Sequence, residues 1–300
     1  MASGNLRGIA AMLMAVAAFA VMDGILKLLT AHYPPMQIAA LRGAASLPFL
    51  LGAVLAFGSI RDLRPVRWGL HLVRGLLAVV MLTGFVYAVK VLSLADAYAI
   101  FFVAPLLVTA FAVPILKEHV DWQRWTAIGL GLVGVLVMLR PTGAGLSLLG
   151  AAGAFVSAVA YALASVSVRV LTRTETTASM VFWFLLLLTL FCSILAAPEW
   201  TPVRREEWPW IAALGIFGGL GQHFITEAFR HGQASVVAPF EYTALLWGIG
   251  LDWLFWSVVP GPGLYLGGSI IIGAGLYLIW RERQLHLETA ARLEAAGTPP

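Results

Sequence analysis

Ionisable side chains are scarce in this chain, and those inside apolar runs suggest ligand or proton handling rather than bond-making chemistry. Asp23, Arg42, Glu227 and Glu241 each sit in or beside a long hydrophobic segment. Asp23 lies deepest and is one helical turn from Lys27, a spacing that allows an internal ion pair. It is read as a gating or coupling group. Arg42 lies about six residues into its segment, with carboxylates such as Asp96 available as structural partners. Glu227, Arg230 and Glu241, together with Arg169, could form a charged gate, and a static network fits them equally well. His223 could touch cargo, titrate near neutral pH or close an interhelical hydrogen bond.

Aromatic residues form a second constellation. Phe19 and Tyr161 fall near the centres of two similar segments, Phe101 and Phe102 precede Pro105, and Tyr242 and Trp247 share a later segment. Most of the eleven tryptophans lie near segment ends, as an interfacial belt requires, with Trp247 set deeper. Rings in this arrangement can pack between helices. They can also line a cavity for a planar or cationic guest through stacking and cation–π contacts. Pro105 and Pro239, with Gly218 and Gly219 of the run GIFGGLGQHF, supply candidate hinge points. Nucleotide-driven or hydrolytic chemistry has no foothold, since GxxxxGK[ST], HExxH and GxSxG are all missing. Cys192 stands alone, so no cysteine-based metal site or disulfide is possible. The expectation is no catalytic residue, no metal and no cofactor.

The elements that must hold these residues follow from composition. Hydrophobic residues make up 60 % of the 300 and charged ones 11 %, with a mean hydropathy of +0.89. A soluble domain carries roughly 25 % charge, so a water-facing globule is excluded. Long apolar runs without period-2 alternation indicate membrane helices of about 20 residues each. Glycine, proline and charge punctuation predicts ten spans: 6–30, 36–58, 67–90, 94–116, 121–140, 145–171, 178–197, 208–231, 235–259 and 263–281. Residues 282–300 form a polar tail. With the N-terminus in the cytoplasm, twelve Lys and Arg residues collect on that side and four (Lys90, Arg140, Arg204 and Arg205) on the other. Both termini are therefore expected in the cytoplasm. The first apolar run continues through Asp23 and Lys27, so it is read as a span rather than a cleaved leader.

A faint internal copy organises the whole chain. Gly8–Thr30 and Gly150–Thr172 align without gaps and share six identities: Gly8/Gly150, Ala10/Ala152, Ala18/Ala160, Ala20/Ala162, Leu29/Leu171 and Thr30/Thr172. Phe19 falls on Tyr161, Asp23 on Ser165 and Lys27 on Arg169. Trp68 pairs with Trp208/Trp210, and Gly129 and Gly134 with Gly268 and Gly273. Five helices per half reverse the second copy, giving an inverted repeat with halves at 1–143 and 144–281. Lys27 and Arg169, in the last turns of paired helices, can then snorkel to opposite interfaces.

Local patterns resemble the EamA family of the drug/metabolite transporter superfamily. The resemblance rests on Tyr33-Pro34-Pro35 before Leu41-Arg42, Tyr87-Ala88 with Ala95–Ala99 and Pro105, Leu116-Lys117-Glu118 with Gln123, and Pro239–Tyr242. Within that superfamily the chain looks most like YddG-type exporters of aromatic amino acids and cationic drugs. The second half has Val258-Val259-Pro260 opposite Lys117-Glu118-His119, so Glu118 is expected to act structurally. The resemblance implies an all-α, ten-helix transporter of a bacterial inner membrane. Its cavity would lie among helices 1, 3, 4, 6, 8 and 9, with alternating access between the halves. Aromatic amino acid export by facilitated diffusion is the first reading and proton antiport the second; a membrane-embedded enzyme or an assembly subunit is the rival class. Its partners would be a small-molecule cargo and the bilayer, with no nucleic acid, and it would act as a monomer.

Overall fold

The computed structural model describes residues 2–92, 94–139, 147–247, 250 and 262–295. The described part is helical, with α1 (Ala2–Leu29), α2 (Pro35–Phe57), α3 (Trp68–Val91), α4 (Leu94–Phe101), α5 (Ala104–Leu116) and α6 (Trp122–Leu139) in the first half. The second half holds α7 (Leu148–Leu171), α8 (Thr177–Ala196), α9 (Trp208–His231), the short α10 (Ala234–Val237) and α11 (Pro262–Ala295). A 3₁₀ stretch, Ala238–Thr243, follows α10 and leads into helical residues 244–247. Among the described residues, six helices are long and apolar enough to cross a bilayer by length and composition. Their outer faces carry large exposed apolar side chains such as Leu55, Phe57, Leu148 and Ile194, as lipid contact demands.

Local chemistry explains where the helices begin. Pro35 occupies the first turn of α2, where its missing N–H has no partner to lose. Ser147 and Thr176 cap α7 and α8 by accepting backbone N–H groups of Gly150 (3.3 Å) and Ser179 (3.0 Å). The fourth span, expected unbroken over 94–116, is interrupted at Phe102 and Val103, so it comprises α4 and α5. Pro105 lies in the first turn of α5 rather than inside a helix. Pro239 likewise opens the 3₁₀ stretch of the ninth span. The remainder of that expected span, through Asp252, Trp253, Trp256 and Val258–Pro260, lies outside the described residues. The last helix runs past 281 as far as Ala295, so the polar tail begins as helix.

Packing follows the inverted repeat. Helix α1 lies along α9, and its repeat mate α7 lies along α3; α2 packs on α8, and α6 on α11. The two halves of the sequence are therefore interlocked. Each half's first helix finds its main partner in the other half, which gives two mixed groupings, α1–α2–α9 and α7–α8–α3. Close approach of α2 and α9 depends on glycine. A Cβ on Gly215 would fall 2.6 Å from the Ala45 carbonyl carbon, whereas one on Gly219 would meet its nearest atom, Ser46 Cβ, at 3.5 Å. Ser46 Oγ seals the same contact with a 2.7 Å hydrogen bond to the Gly215 carbonyl.

Gly215→Ala should therefore lower the thermal unfolding midpoint in detergent, consistent with overpacking of about 1–3 kcal/mol. Gly219→Ala should match the wild type in midpoint and in flux. A flux defect in Gly219→Ala would restore Gly219 as a hinge; equal stability of the two variants would refute the packing account.

Candidate functional site

Four polar side chains keep exposed surface although protein surrounds them on most sides, the setting of a cleft between helices. Asp23 of α1 is exposed, and Arg42 of α2, Tyr98 of α4 and Tyr161 of α7 are partly so. Asp23 lies within electrostatic range of both Arg42 and Tyr98. The Arg42 guanidinium rests 5.3 Å above the Phe19 ring, and its Nε is buried without a hydrogen-bond partner.

A chain of rings continues from this polar group. Phe85 meets Tyr98 and Phe101, each at 5.2 Å between centroids. Tyr98 stacks on Phe102 at 6.0 Å, Phe101 reaches Tyr161 at 5.8 Å, and Phe102 reaches Tyr242 at 6.1 Å. Phe102 lies in the break between α4 and α5 and Tyr242 in the 3₁₀ stretch, so the two interrupted spans meet through their aromatic residues. Discontinuous membrane helices meeting near a repeat interface are a recurring substrate-site geometry. Glu241 joins them, buried beside the Tyr161 hydroxyl, with its Oε1 lacking a hydrogen-bond partner.

Several expected site residues land elsewhere. Trp247 is 47 % exposed and pairs with none of these rings among the described residues. Glu241, expected in a rim network, sits at the ring cluster because the chain stops being α-helical at Ala238. Glu227, Arg230 and Arg169 do come together: Thr177 donates to Glu227 and accepts from Arg230 at 2.9 Å, Arg169 donates to the Arg230 carbonyl at 3.0 Å, and His231 Nε2 lies 2.9 Å from Glu227. His223 packs edge-on against Phe224, on the Glu227 side of α9. Gly218 leaves a recess for Arg42: a Cβ there would lie 3.1 Å from both its Cγ and its Nε. The side chains of Lys27 and Asp96, candidate partners of Asp23 and Arg42, lie outside the described ones. Tyr98 and Phe85 went unnamed in the sequence reading, although Tyr98 stands one turn before Phe101 and Phe102.

The cavity is sealed at the end holding the α1 N-terminus. There a single apolar cluster joins both halves, from Met12 and Val16 through Val108 and Val166 to Phe229, Val237 and Phe240. Asn5 accepts the Gln233 N–H at 2.9 Å, and Gly8 lies against Gly232. Glu118 caps α10 by accepting the N–H groups of Ala234 (2.9 Å) and Ser235 (3.2 Å), the structural role its sequence setting implied. Away from that apolar cluster the buried side chains form smaller ones: Met22, Ile25, Leu29, Ile38 and Leu214 make one, Ala88, Leu92, Ala97 and Ala154 another, and Ala39, Ala40, Ala78, Leu188 and Cys192 a third that joins α2 to α3 and α8.

The EamA-like transporter family pattern matches this chain twice, over residues 6–140 and 148–281. The chain belongs to that family. It is a multi-pass membrane protein of the drug/metabolite transporter superfamily, whose members here move small molecules. It is 31 % identical over 263 residues to the pseudopaline exporter of Pseudomonas aeruginosa, covering 87 % of this chain and 91 % of the relative. It is 29 % identical over 274 residues to a riboflavin transporter of Vibrio cholerae, covering 89 % and 91 %. A Rickettsia prowazekii S-adenosylmethionine uptake transporter is 25 % identical over 279 residues, covering 93 % and 94 %. A solved crystal structure superposes with a TM-score of 0.79 at 22 % identity, over 94 % of this chain and 98 % of the other, and this likeness bears on the fold alone.

In this EamA transporter two related clamps, one per half, brace the mixed units. Tyr33, just beyond α1, donates to Glu207 at the start of α9 and accepts the Arg204 N–H at 3.0 Å; His32 Nδ1 lies 2.6 Å from the same carboxylate. Burial, reinforced by Glu207, raises the Tyr33 hydroxyl above its ordinary value. The residue 142 positions on is Glu175, just beyond α7, and it grips the start of α3. Its Oε1 accepts the N–H groups of Val66 (2.7 Å) and Arg67 (2.8 Å), and Oε2 accepts the Ser179 hydroxyl at 3.0 Å. His71 Nε2 stands 3.3 Å away, close enough to pair when protonated but not aligned as a hydrogen bond. Burial would raise the Glu175 carboxyl, yet these donors outweigh it and hold the group below its ordinary 4.5.

A carboxyl depressed in the fold adds stability above its ordinary value and loses it as pH falls through the lower folded one. The wild type should therefore lose thermal stability as pH drops below 4.5. Glu175→Gln should be less stable at pH 7 by about 1.5–3 kcal/mol and flatter across the acid range. An acid profile parallel to the wild type's would remove Glu175 as its source.

Proposed function

We propose that this transporter exports amino acids, aromatic ones for preference, and similar small hydrophobic or cationic metabolites by alternating access. The observation that carries this reading is the ring chain from Phe85 to Tyr242, drawn from both halves and meeting at the two interrupted spans. Planar cargo would stack on the partly exposed Phe85, Tyr98, Phe101 and Tyr161, backed by the buried Phe102 and Tyr242, and a cationic group would gain from ring faces and from Asp23. The protein is taken to lie in a bacterial inner membrane with both termini cytoplasmic, which the twelve-to-four bias in Lys and Arg supports. Downhill facilitation is the simpler mode. Proton antiport is the second reading, favoured by the unpartnered Glu241 Oε1 deep in the site.

Purified protein in liposomes preloaded with tryptophan, phenylalanine or leucine should release the aromatic pair faster than leucine and faster than protein-free vesicles do. Tyr161→Ala should weaken aromatic cargo roughly two- to tenfold, from about 0.5–1.5 kcal/mol per ring pair. Failure to move any of these solutes would refute the reading. Flux driven by an imposed pH gradient and lost in Glu241→Gln would select antiport; indifference to the gradient selects facilitation.

A further inference from the structure

The cavity has a charged pole and an aromatic pole, and the first is built to hold opposite charges a short distance apart. We propose that Arg42 and Asp23 form a head-group subsite that binds the carboxylate and ammonium of a zwitterionic cargo, while the ring chain holds its side chain. This rests on the carrier reading above.

Three features converge on Arg42. Its guanidinium carbon lies 5.3 Å from the centre of the Phe19 ring, a cation–π contact that anchors the group. Gly218 supplies the room, since any Cβ there would press on Arg42 Cγ and Nε at 3.1 Å. Nε is buried without a hydrogen-bond partner while the side chain as a whole stays partly exposed, so an incoming carboxylate would meet the terminal NH groups.

Asp23 faces the same space from α1, exposed within the cleft between helices, and feels the Arg42 charge without closing an ion pair with it. A guanidinium and a carboxylate held apart across an accessible space match a cargo whose own carboxylate and ammonium are joined through one carbon. Tyr98 lies beside Asp23 and stacks on Phe102, so the ring pole begins where the head group would end.

The repeat does not duplicate this subsite. Positions 142 residues on from Asp23 and Arg42 are Ser165 and Phe184. The pocket therefore offers one charged station, and cargo would bind in one orientation.

The test uses the full-length protein in lipid nanodiscs and competes labelled tryptophan with tryptophan, tryptamine, indole-3-propionate and indole. Wild type should be half-displaced by tryptophan at a concentration at least tenfold below that needed for each of the other three. Arg42→Gln should shrink the tryptophan–tryptamine gap at least fivefold, and Asp23→Asn the tryptophan–indole-3-propionate gap, with Arg42→Lys retaining part of the first. Equal displacement by all four compounds on the wild type, or uniform weakening of all four in both variants, overturns the subsite alone. Labelled tryptophan that does not bind removes the carrier reading with it.

Discussion

A backbone break inside a bilayer is tolerable only where protein hides it from lipid, because hydrocarbon offers no partner to an unpaired N–H or C=O. This chain has two such breaks among its described residues, at Phe102–Val103 and across Ala238–Thr243, and they face each other. Gly131 of α6 completes the enclosure: a Cβ there would fall 2.6 Å from Tyr242 Cε2, so the helix comes down directly onto the ring. The central location of the aromatic cluster follows from the same requirement. Irregular backbone, its shielding rings and the cavity they border must all occupy the middle of the bundle.

The inverted repeat supplies the frame around that centre. Since α1 lies along α9 and α7 along α3, each mixed unit draws helices from both halves, and the loop following each half's first helix fastens its unit. Tyr33 and Glu175 are repeat mates that do this with different chemistry. One donates from a phenol to a carboxylate, and the other accepts backbone amides on a carboxylate. Equivalence of position has outlasted identity of residue, as expected where selection acts on the joint rather than on the side chain. Helices of both halves meet in a shared apolar cluster around the N-terminal part of α1 and again where α2 packs on α8.

Helix existence and extent were legible in the sequence because hydropathy and punctuation report directly on bilayer thickness. The eighth span, 208–231, was read to the residue, and the ends of the second, third, fifth and seventh differ from the expected ones by a single residue. The breaks were less legible. Pro105 and Pro239 advertised them, but proline is equally at home in a helix's first turn, and its role depends on where the preceding helix stops. Side-chain partners were least legible of all. Along its own helix Asp23 offers only Lys27, while the Arg42 charge reaches it because α1 and α2 both pack on α9. Glu241 looked like a rim residue because it follows a loop closely; the 3₁₀ stretch carries it to the rings.

The frame is symmetric, but a cargo with a head and a tail is not, and the site must break the symmetry without breaking the fold. Substitutions at single repeat positions do this at little structural cost. Asp23 is matched by Ser165, Phe19 by Tyr161 and Arg42 by Phe184, and each pair occupies the same place on its helix while changing polarity or charge. Some positions that set helix approach keep small residues in both halves, as Gly8 with Gly150 and Ala20 with Ala162 illustrate, whereas Gly43, pressed against α8, is matched by Leu185. Helix packing therefore constrains some positions of each span and leaves others free to diversify. Transporters of one fold can in this way differ in cargo while the machinery that opens and closes around it stays constant.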